Sequence, residues 1–98
     1  MAEFLVELYV PGDDPATAWR QTACAERAAA DLTRDGIPVT CRWSVYVPED
    51  ETCLLLCDAA STDAVHAALD RAGLPWEHVS AAETCTTSPI HHHLKGSA

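Results

Sequence analysis

Three side chains on separate predicted strands are of the types that carry acid–base or ion-binding chemistry. His78 has an imidazole ring, a group that commonly acts as a general base or ligates a metal ion. Glu7 can orient that ring or hold a cation beside it. Arg42 suits the binding of a carboxylate or an enolate oxygen. We take all three as candidate catalytic residues, and His78 and Glu7 also as candidate metal ligands.

The same predicted sheet face carries further polar and aromatic groups. The candidate ligand-binding residues among them are Tyr9, Ser44, Tyr46 and Cys53. Polar groups held in a partly dry place can have shifted pKa values and can act on a substrate. The alternative is that Glu7 and Arg42 form an ion pair within a homodimer interface, where the two tyrosines only pack.

Three adjacent histidines near the end of the chain are the second candidate for metal binding. They are His91, His92 and His93, and Cys85 lies six residues before the first of them. Imidazoles bind Ni, Cu and Zn well. Neighbouring histidines in a flexible tail can also bind such ions adventitiously, without the fixed geometry of a dedicated site, and the triplet is tag-like.

The five cysteines favour reduced thiols over a disulfide framework, because their number is odd and no CxxC pair occurs. Cys53 and Cys57 lie four apart on one predicted strand, about 13 Å apart at about 3.3 Å per residue, too far to chelate one ion together. Cys24 and Cys41 are expected to be small buried hydrophobic residues. Phosphate-binding Gly-rich loops, HExxH and GxSxG are all absent from the sequence, so hydrolase, kinase and zinc-finger classes have no support.

Charge and length restrict the partners and the architecture. The net charge of −9 disfavours nucleic acid and anionic membranes, whose phosphates need Lys and Arg. Ninety-eight residues make one domain with a modest core, which a homodimer would help to stabilise. No apolar run approaches the roughly 20 residues that span a bilayer, and the N-terminus does not resemble a signal peptide. We therefore expect a cytoplasmic protein.

Hydrophobic periodicity predicts two helices and four strands. The strands are expected at residues 3–10, on either side of a turn at 48–51, and at 76–83; the helices are expected at 15–34 and 62–72. Asp13 or Asp14 and Ser61 are candidate helix N-caps. We place one domain at residues 1–84 and a flexible tail at 85–98.

The hairpin at 39–58 is the centre of the prediction. A turn at 48–51 places Val47 opposite Thr52 and Trp43 opposite Leu56. Strand alternation then divides the side chains between two faces. The expected core face comprises Trp43, Val45, Val47, Leu54 and Leu56. The expected mixed, helix-free face comprises Arg42, Ser44, Tyr46, Cys53, Leu55 and Cys57.

The element order β-α-β-β-α-β predicts the ferredoxin-like α+β fold, a four-stranded antiparallel sheet with both helices on one side. Right-handed crossovers give the sheet order 4-1-3-2, which makes the first strand central. Trp19, near the start of the first helix, is expected to be a core or interface side chain.

Three segments resemble small bacterial proteins of the nickel-binding-protein-like family: 45–53 (VYVPEDETC), 58–65 (DAASTDAV) and 71–75 (RAGLP). The resemblance covers about residues 3–84 and implies a ferredoxin-like fold of the dimeric α+β barrel type. It also implies a bacterial protein with nickel or another divalent transition metal as a possible ligand. In that family histidines near the first strand matter. The corresponding stretch 7–12 contains no histidine, so no metal ligand is transferred.

Two functions from different classes follow as hypotheses. The first is a small binding protein for a transition metal ion or a small molecule. The second is a cofactor-free enzyme of the α+β barrel type, a cyclase, isomerase or monooxygenase, with His78 or Glu7 as base and Arg42 stabilising an anion. A purely structural interaction module would show neither activity.

Overall fold

A computed structural model describes residues 1–85. The elements are β1 (Ala2–Tyr9), α1 (Pro15–Arg34), β2 (Val39–Val47), β3 (Thr52–Ala59), α2 (Thr62–Ala72) and β4 (Trp76–Ala82). A short 3-10 turn, Pro48–Asp50, joins β2 to β3. These bounds agree with the predicted elements to within one residue. The predicted tail, with His91, His92 and His93, lies outside the described residues apart from Cys85.

Local sequence signals explain where the helices begin and end. The Asp14 carboxylate caps α1 by accepting a hydrogen bond from the Thr17 amide, and Pro15 occupies the first helical position. Ser61 caps α2 in the same way through the Ala64 amide. Gly73 ends α2 at a φ of 71°, a left-handed conformation that glycine adopts without steric cost.

The sheet confirms the predicted topology. The strands are all antiparallel, in the order β2-β3-β1-β4, so β1 and β3 are central. The hairpin register is also confirmed: Val47 pairs with Thr52, Val45 with Leu54, and Trp43 with Leu56. Both helices contribute to one core with the strands, which places them on the same side of the sheet.

The predicted orientation of the hairpin is wrong. The expected core residues Trp43 and Val45 are 44% and 45% exposed, whereas Leu55 is fully buried beneath the helices. The reason is the pairing with β1, since cross-strand partners share a sheet face. Val6 and Leu8 lie on the helix side of the sheet. Their partners on β3, Leu55 and Cys53, therefore lie on that side as well.

A β-bulge in β2 adds a second correction. Cys41 pairs with Cys57, but the next β3 residue, Leu56, pairs with Trp43, so Arg42 is an extra residue without a partner. The extra residue reverses the alternation along β2. Cys41 therefore lies on the helix side, and Trp43 lies on the opposite face.

Within residues 1–85, no helix has both the length and the apolar character that crossing a membrane requires.

Candidate functional site

The structure divides the predicted site residues between the two sides of the sheet. Ser44, Tyr46 and Cys53 pair with residues of the helix side and lie beneath α1. Their placement on the helix-free face is therefore wrong. Glu7, Tyr9, Arg42 and His78 do lie on that face, as predicted. We call it the bare face; its residues include Glu3, Leu5, Glu7, Tyr9, Thr40, Arg42, Trp43, Val45, Val47, Thr52, Leu54, Leu56, Asp58, His78 and Ser80.

The three side chains beneath α1 come together in a groove of about 360 Å³ between this helix and the hairpin. We call it the α1 groove. Its lining residues are Ala18, Trp19, Thr22, Ala23, Glu26, Ser44, Tyr46 and Cys53. Small side chains on α1 create the space, because the helix meets the sheet through alanines. A volume of this size is at the lower end of the range for small-molecule sites.

Two hydroxyl groups form the polar part of the groove. Thr22 Oγ1 lies 3.1 Å from Ser44 Oγ and 2.9 Å from the Ala18 carbonyl oxygen. A threonine hydroxyl has a single proton, so it can donate to only one of these oxygens at a time. When Thr22 donates to Ala18, the Ser44 hydroxyl can donate to Thr22 and still accept a bond from a ligand. When Thr22 donates to Ser44 instead, the Ser44 proton is free to donate to a ligand, so between these two arrangements the pair offers both donor and acceptor capacity.

Tyr46 forms one end of the groove and ties it to the β1–α1 loop. Its hydroxyl donates a hydrogen bond to the Pro11 carbonyl oxygen. The phenol proton is thus committed, while the oxygen can still accept a bond from a ligand. This contact fixes the position of a half-buried ring across a sequence separation of 35 residues.

Cys53 is not poised as a nucleophile. Its side chain is 1% exposed, and burial raises the pKa of the thiol, against a weaker opposing effect of the contact with Thr22. The sulfur lies 4.0 Å from Thr22 Oγ1. Because the thiolate is the reactive form, a thiol held neutral contributes packing and weak polarity rather than covalent chemistry.

Trp19 and Glu26 determine which ligands the mouth of the groove can accept. Trp19 is 78% exposed, so of its two expected positions, core or interface, the core position is wrong; the residue lines the edge of the groove. Glu26 contributes the one formal charge among the lining residues. An exposed indole offers a stacking surface, and a carboxylate disfavours anions. The groove therefore suits a small, uncharged, partly aromatic molecule with a hydroxyl group.

On the bare face, the three candidate catalytic residues do not converge. Glu7 and His78 are cross-strand partners on β1 and β4. Arg42 instead donates to Glu3 at 2.6 Å and lies 3.6 Å from Asp58, at the other end of the sheet. Within the chain, Arg42 is therefore engaged by Glu3 and Asp58 rather than by Glu7.

The Glu3 carboxylate is the centre of a small polar network at that end. The Thr84 hydroxyl and amide donate to it at 2.6 Å and 2.7 Å. These two bonds lower the pKa of the Glu3 carboxyl, with smaller contributions from the charge and hydrogen bond of Arg42, and burial opposes them. The network fastens the end of β4 to β1.

No metal centre is assembled in residues 1–85, where no group of three or more His, Cys, Asp and Glu side chains is positioned to hold an ion. Glu7 and His78 supply two potential ligands from adjacent strands. The residues of the fold thus do not fit a resident nickel ion. The predicted ligands His91, His92 and His93 lie outside the described residues.

Sequence reasoning missed the contribution of α1 to the groove. Thr22, Ala23 and Glu26 lie on the face of α1 that is directed toward the hairpin. Only the apolar stripe of α1 was used to predict how this helix packs. The available signal was the spacing of Trp19, Thr22, Ala23 and Glu26, which places them on one face of a helix. Their partners could not be identified without the orientation of the hairpin.

Comparison of the chain with protein-family models, with curated proteins and with solved structures gives no match. The ferredoxin-like topology that the resemblance implied is present. The resemblance to nickel-binding-protein-like proteins itself rests on the three sequence segments quoted above.

Proposed function

We propose that this domain is a small-molecule binding protein whose ligand site is the α1 groove. The observation that supports the proposal is the convergence of Thr22, Ser44 and Tyr46 beneath an exposed Trp19, in a groove of about 360 Å³. A few positioned polar groups within a largely apolar concave surface are the usual composition of a ligand site.

The lining chemistry defines the ligand class. Trp19 offers a face for an aromatic ring, and the hydroxyls of Thr22 and Ser44 can bond a ligand hydroxyl in either direction. Glu26 and the net charge of −9 oppose an anion. The ligand is therefore a neutral aromatic alcohol or phenol. The lining residues include no imidazole, so the proposal concerns an organic ligand rather than nickel.

The bare face supports the second part of the proposal, that the protein is a homodimer formed through this face. Trp43, Val45 and Tyr9 are each more than 40% exposed, and Leu54 beside them is half-buried. Exposed apolar side chains that are contiguous on one sheet face mark an interaction surface. The occupant is a second copy, because a domain of 98 residues buries only a modest core and is stabilised when its apolar sheet face is covered.

The area of the bare face limits how tightly two copies can associate. Four strands about 4.8 Å apart, with about eight residues rising about 3.3 Å each, give a face of roughly 19 by 26 Å. Two such faces together bury about 1,000 Å², which is below the range for stable specific complexes and typical of weak ones. We therefore expect a weak dimer with a dissociation constant in the micromolar range. The ligand site lies on the other side of the sheet, so ligand binding does not depend on dimerisation.

The ligand proposal is tested by filling the groove. Ala23 is an exposed groove residue on α1, and Ala23→Phe places a ring in the space that the ligand would occupy. Ala30→Phe is the matched control, since Ala30 is exposed on the same helix but outside the α1 groove. The measurement is equilibrium dialysis with 2-naphthol, a neutral aromatic alcohol.

We expect Ala23→Phe to weaken 2-naphthol binding by about tenfold or more, equivalent to about 1.4 kcal/mol, while Ala30→Phe binds like the unmodified chain. Equal affinity in all three proteins, or no binding to any of them, would overturn the proposal.

A further inference from the structure

A pair of cysteines lies outside the α1 groove, on the helix side of the sheet. Cys41 on β2 and Cys57 on β3 are cross-strand partners, and their sulfur atoms lie 3.7 Å apart. Both thiols are free. The bulge at Arg42 creates this juxtaposition, because it places Cys41 on the same side of the sheet as Cys57.

The backbone geometry allows a bond between the two sulfurs. Partner residues in antiparallel strands have Cα atoms about 4.5 to 5.5 Å apart, within the range that disulfides span. The sulfurs must approach from 3.7 Å to about 2.05 Å, which rotation of the two side chains can supply without moving the strands.

Access to the pair is one-sided. Cys57 is 3% exposed, whereas Cys41 is half-buried and lines a second groove between α1 and β2, of about 470 Å³. We call it the Cys41 groove. Its walls include Ala29, Ala30, Thr33 and Val39. A small reagent can therefore reach Cys41 from solvent, and Cys57 only through Cys41.

The environment also distinguishes the two thiols chemically. The contact with Cys57 lowers the pKa of Cys41, against the opposing effects of burial and of the Glu26 charge. The contact with Cys41, with burial and the neighbouring charges, raises the pKa of Cys57. The accessible sulfur is thus the one that more readily forms the reactive thiolate.

We propose that Cys41 and Cys57 are a redox-active dithiol that a small hydroperoxide converts into a cross-strand disulfide. In the first step the Cys41 thiolate attacks the terminal oxygen of the hydroperoxide; the S–O bond forms, the O–O bond breaks, and an alcohol or water leaves after taking up a proton. Cys57 then loses its proton and attacks the Cys41 sulfur. The S–S bond forms, the S–O bond breaks, and water leaves.

Overall, two thiols lose two electrons and two protons, and the hydroperoxide is reduced. A dithiol reductant reverses the change by thiol–disulfide exchange. The new bond joins β2 to β3 at the bulge, where Arg42 interrupts the ladder of paired residues.

The experiment treats the full chain with hydrogen peroxide, blocks the remaining thiols with iodoacetamide, and maps the cross-links by peptide mass spectrometry without reduction. We expect a Cys41–Cys57 linked peptide as the main product, removed by dithiothreitol. Cys57→Ser should leave a sulfenic acid at Cys41 that dimedone labels. Cys24→Ser is the matched control and should form the same link as the unmodified chain.

Two further variants test access without changing a cysteine. Ala30→Phe fills the Cys41 groove and should slow formation of the link about tenfold, whereas Ala23→Phe, two turns earlier on α1, should not change the rate. The proposal is overturned if Cys41 and Cys57 remain alkylated separately after peroxide treatment, or if cross-links through Cys85 predominate. It is also overturned if Ala23→Phe and Ala30→Phe react equally fast.

Discussion

At the scale of single residues, recognition of a ligand hydroxyl in the α1 groove depends on Thr22 and Ser44. Their oxygens lie 3.1 Å apart in the α1 groove, and one of them can always accept a bond from a ligand. A ligand hydroxyl that bonds this pair gains a contact that an analogue without the hydroxyl cannot make; the gain is that of a single hydrogen bond, since Ser44 is exposed to water. The preference for an alcohol over a hydrocarbon of the same shape should therefore reside in these two side chains.

Ser44→Ala should reduce the preference for 2-naphthol over 2-methylnaphthalene by about three- to tenfold, the value of one hydrogen bond of about 0.5–1.5 kcal/mol. Equilibrium dialysis with the two compounds measures this ratio. Ser80→Ala, the same change on the bare face, is the control and should leave the ratio unchanged. An unchanged ratio in Ser44→Ala would contradict the assignment of this hydroxyl to the ligand.

Glu3 gives a pH-dependent prediction at the same scale. Hydrogen bonds from Thr84 and the charge of Arg42 lower its pKa in the folded protein. Its contribution to stability is therefore complete above the pKa of the carboxyl in the unfolded chain, and it is lost as the pH falls through the lower folded value.

Glu3→Gln should consequently be less stable than the unmodified chain at pH 7, and the difference should shrink as the pH falls below about 4.3, the usual pKa of a glutamate. Urea unfolding at a series of pH values measures the difference. Glu83→Gln, an exposed neighbour of Thr84, is the control. A difference that persists at the lowest pH would show that charge on Glu3 is not its cause.

At the scale of elements, the sequence predicted the strands, the helices, the caps and the hairpin register. It did not predict which hairpin face meets the helices, because both faces are rich in apolar residues. Trp43 and Val45 are as apolar as Leu55 and larger than Cys53. Strand β1 decides the orientation, because its buried Phe4, Val6 and Leu8 alternate with a face that contains two glutamates. The β3 partners of these three residues therefore lie on the helix side.

The bulge explains the separate errors at Arg42 and Cys41. Arg42 is an additional residue in β2, and a single such residue exchanges the faces of all positions on one side of it. Turn and periodicity signals in the sequence do not reveal it. Arg42 was therefore grouped with Ser44 and Tyr46, and the partnership of Cys41 with Cys57 was not predicted. Ser44, Tyr46 and Cys53 were assigned to the bare face for the other reason, the wrong orientation of the whole hairpin.

At the scale of the whole molecule, the sheet separates two surfaces. The α1 groove and the Cys41 groove lie on the helix side, and the bare face presents Trp43, Val45 and Tyr9 on the other. A domain of 98 residues buries only a modest core, so covering an apolar sheet face would stabilise it. The two sides can therefore be altered independently.

Val45→Glu places a charge among the exposed apolar side chains of the bare face and should weaken dimerisation by about a hundredfold, because the charge would be buried without a partner. Sedimentation velocity over a range of concentrations measures the association. Ile37→Glu, the same type of change in the exposed α1–β2 connection, is the control and should dimerise normally. A monomeric unmodified chain at high concentration would contradict the dimer. The affinity of Val45→Glu for 2-naphthol should be unchanged.

The measurement that tests the ligand site most directly is a map of amide chemical-shift changes in the ¹⁵N-labelled protein as 2-naphthol is added. The account predicts saturable changes concentrated on α1 between Ala18 and Glu26 and on β2 at Ser44 and Tyr46, with the Trp19 indole among the largest. Changes concentrated instead at Trp43, Val45 and His78 would place the ligand on the bare face and contradict the account.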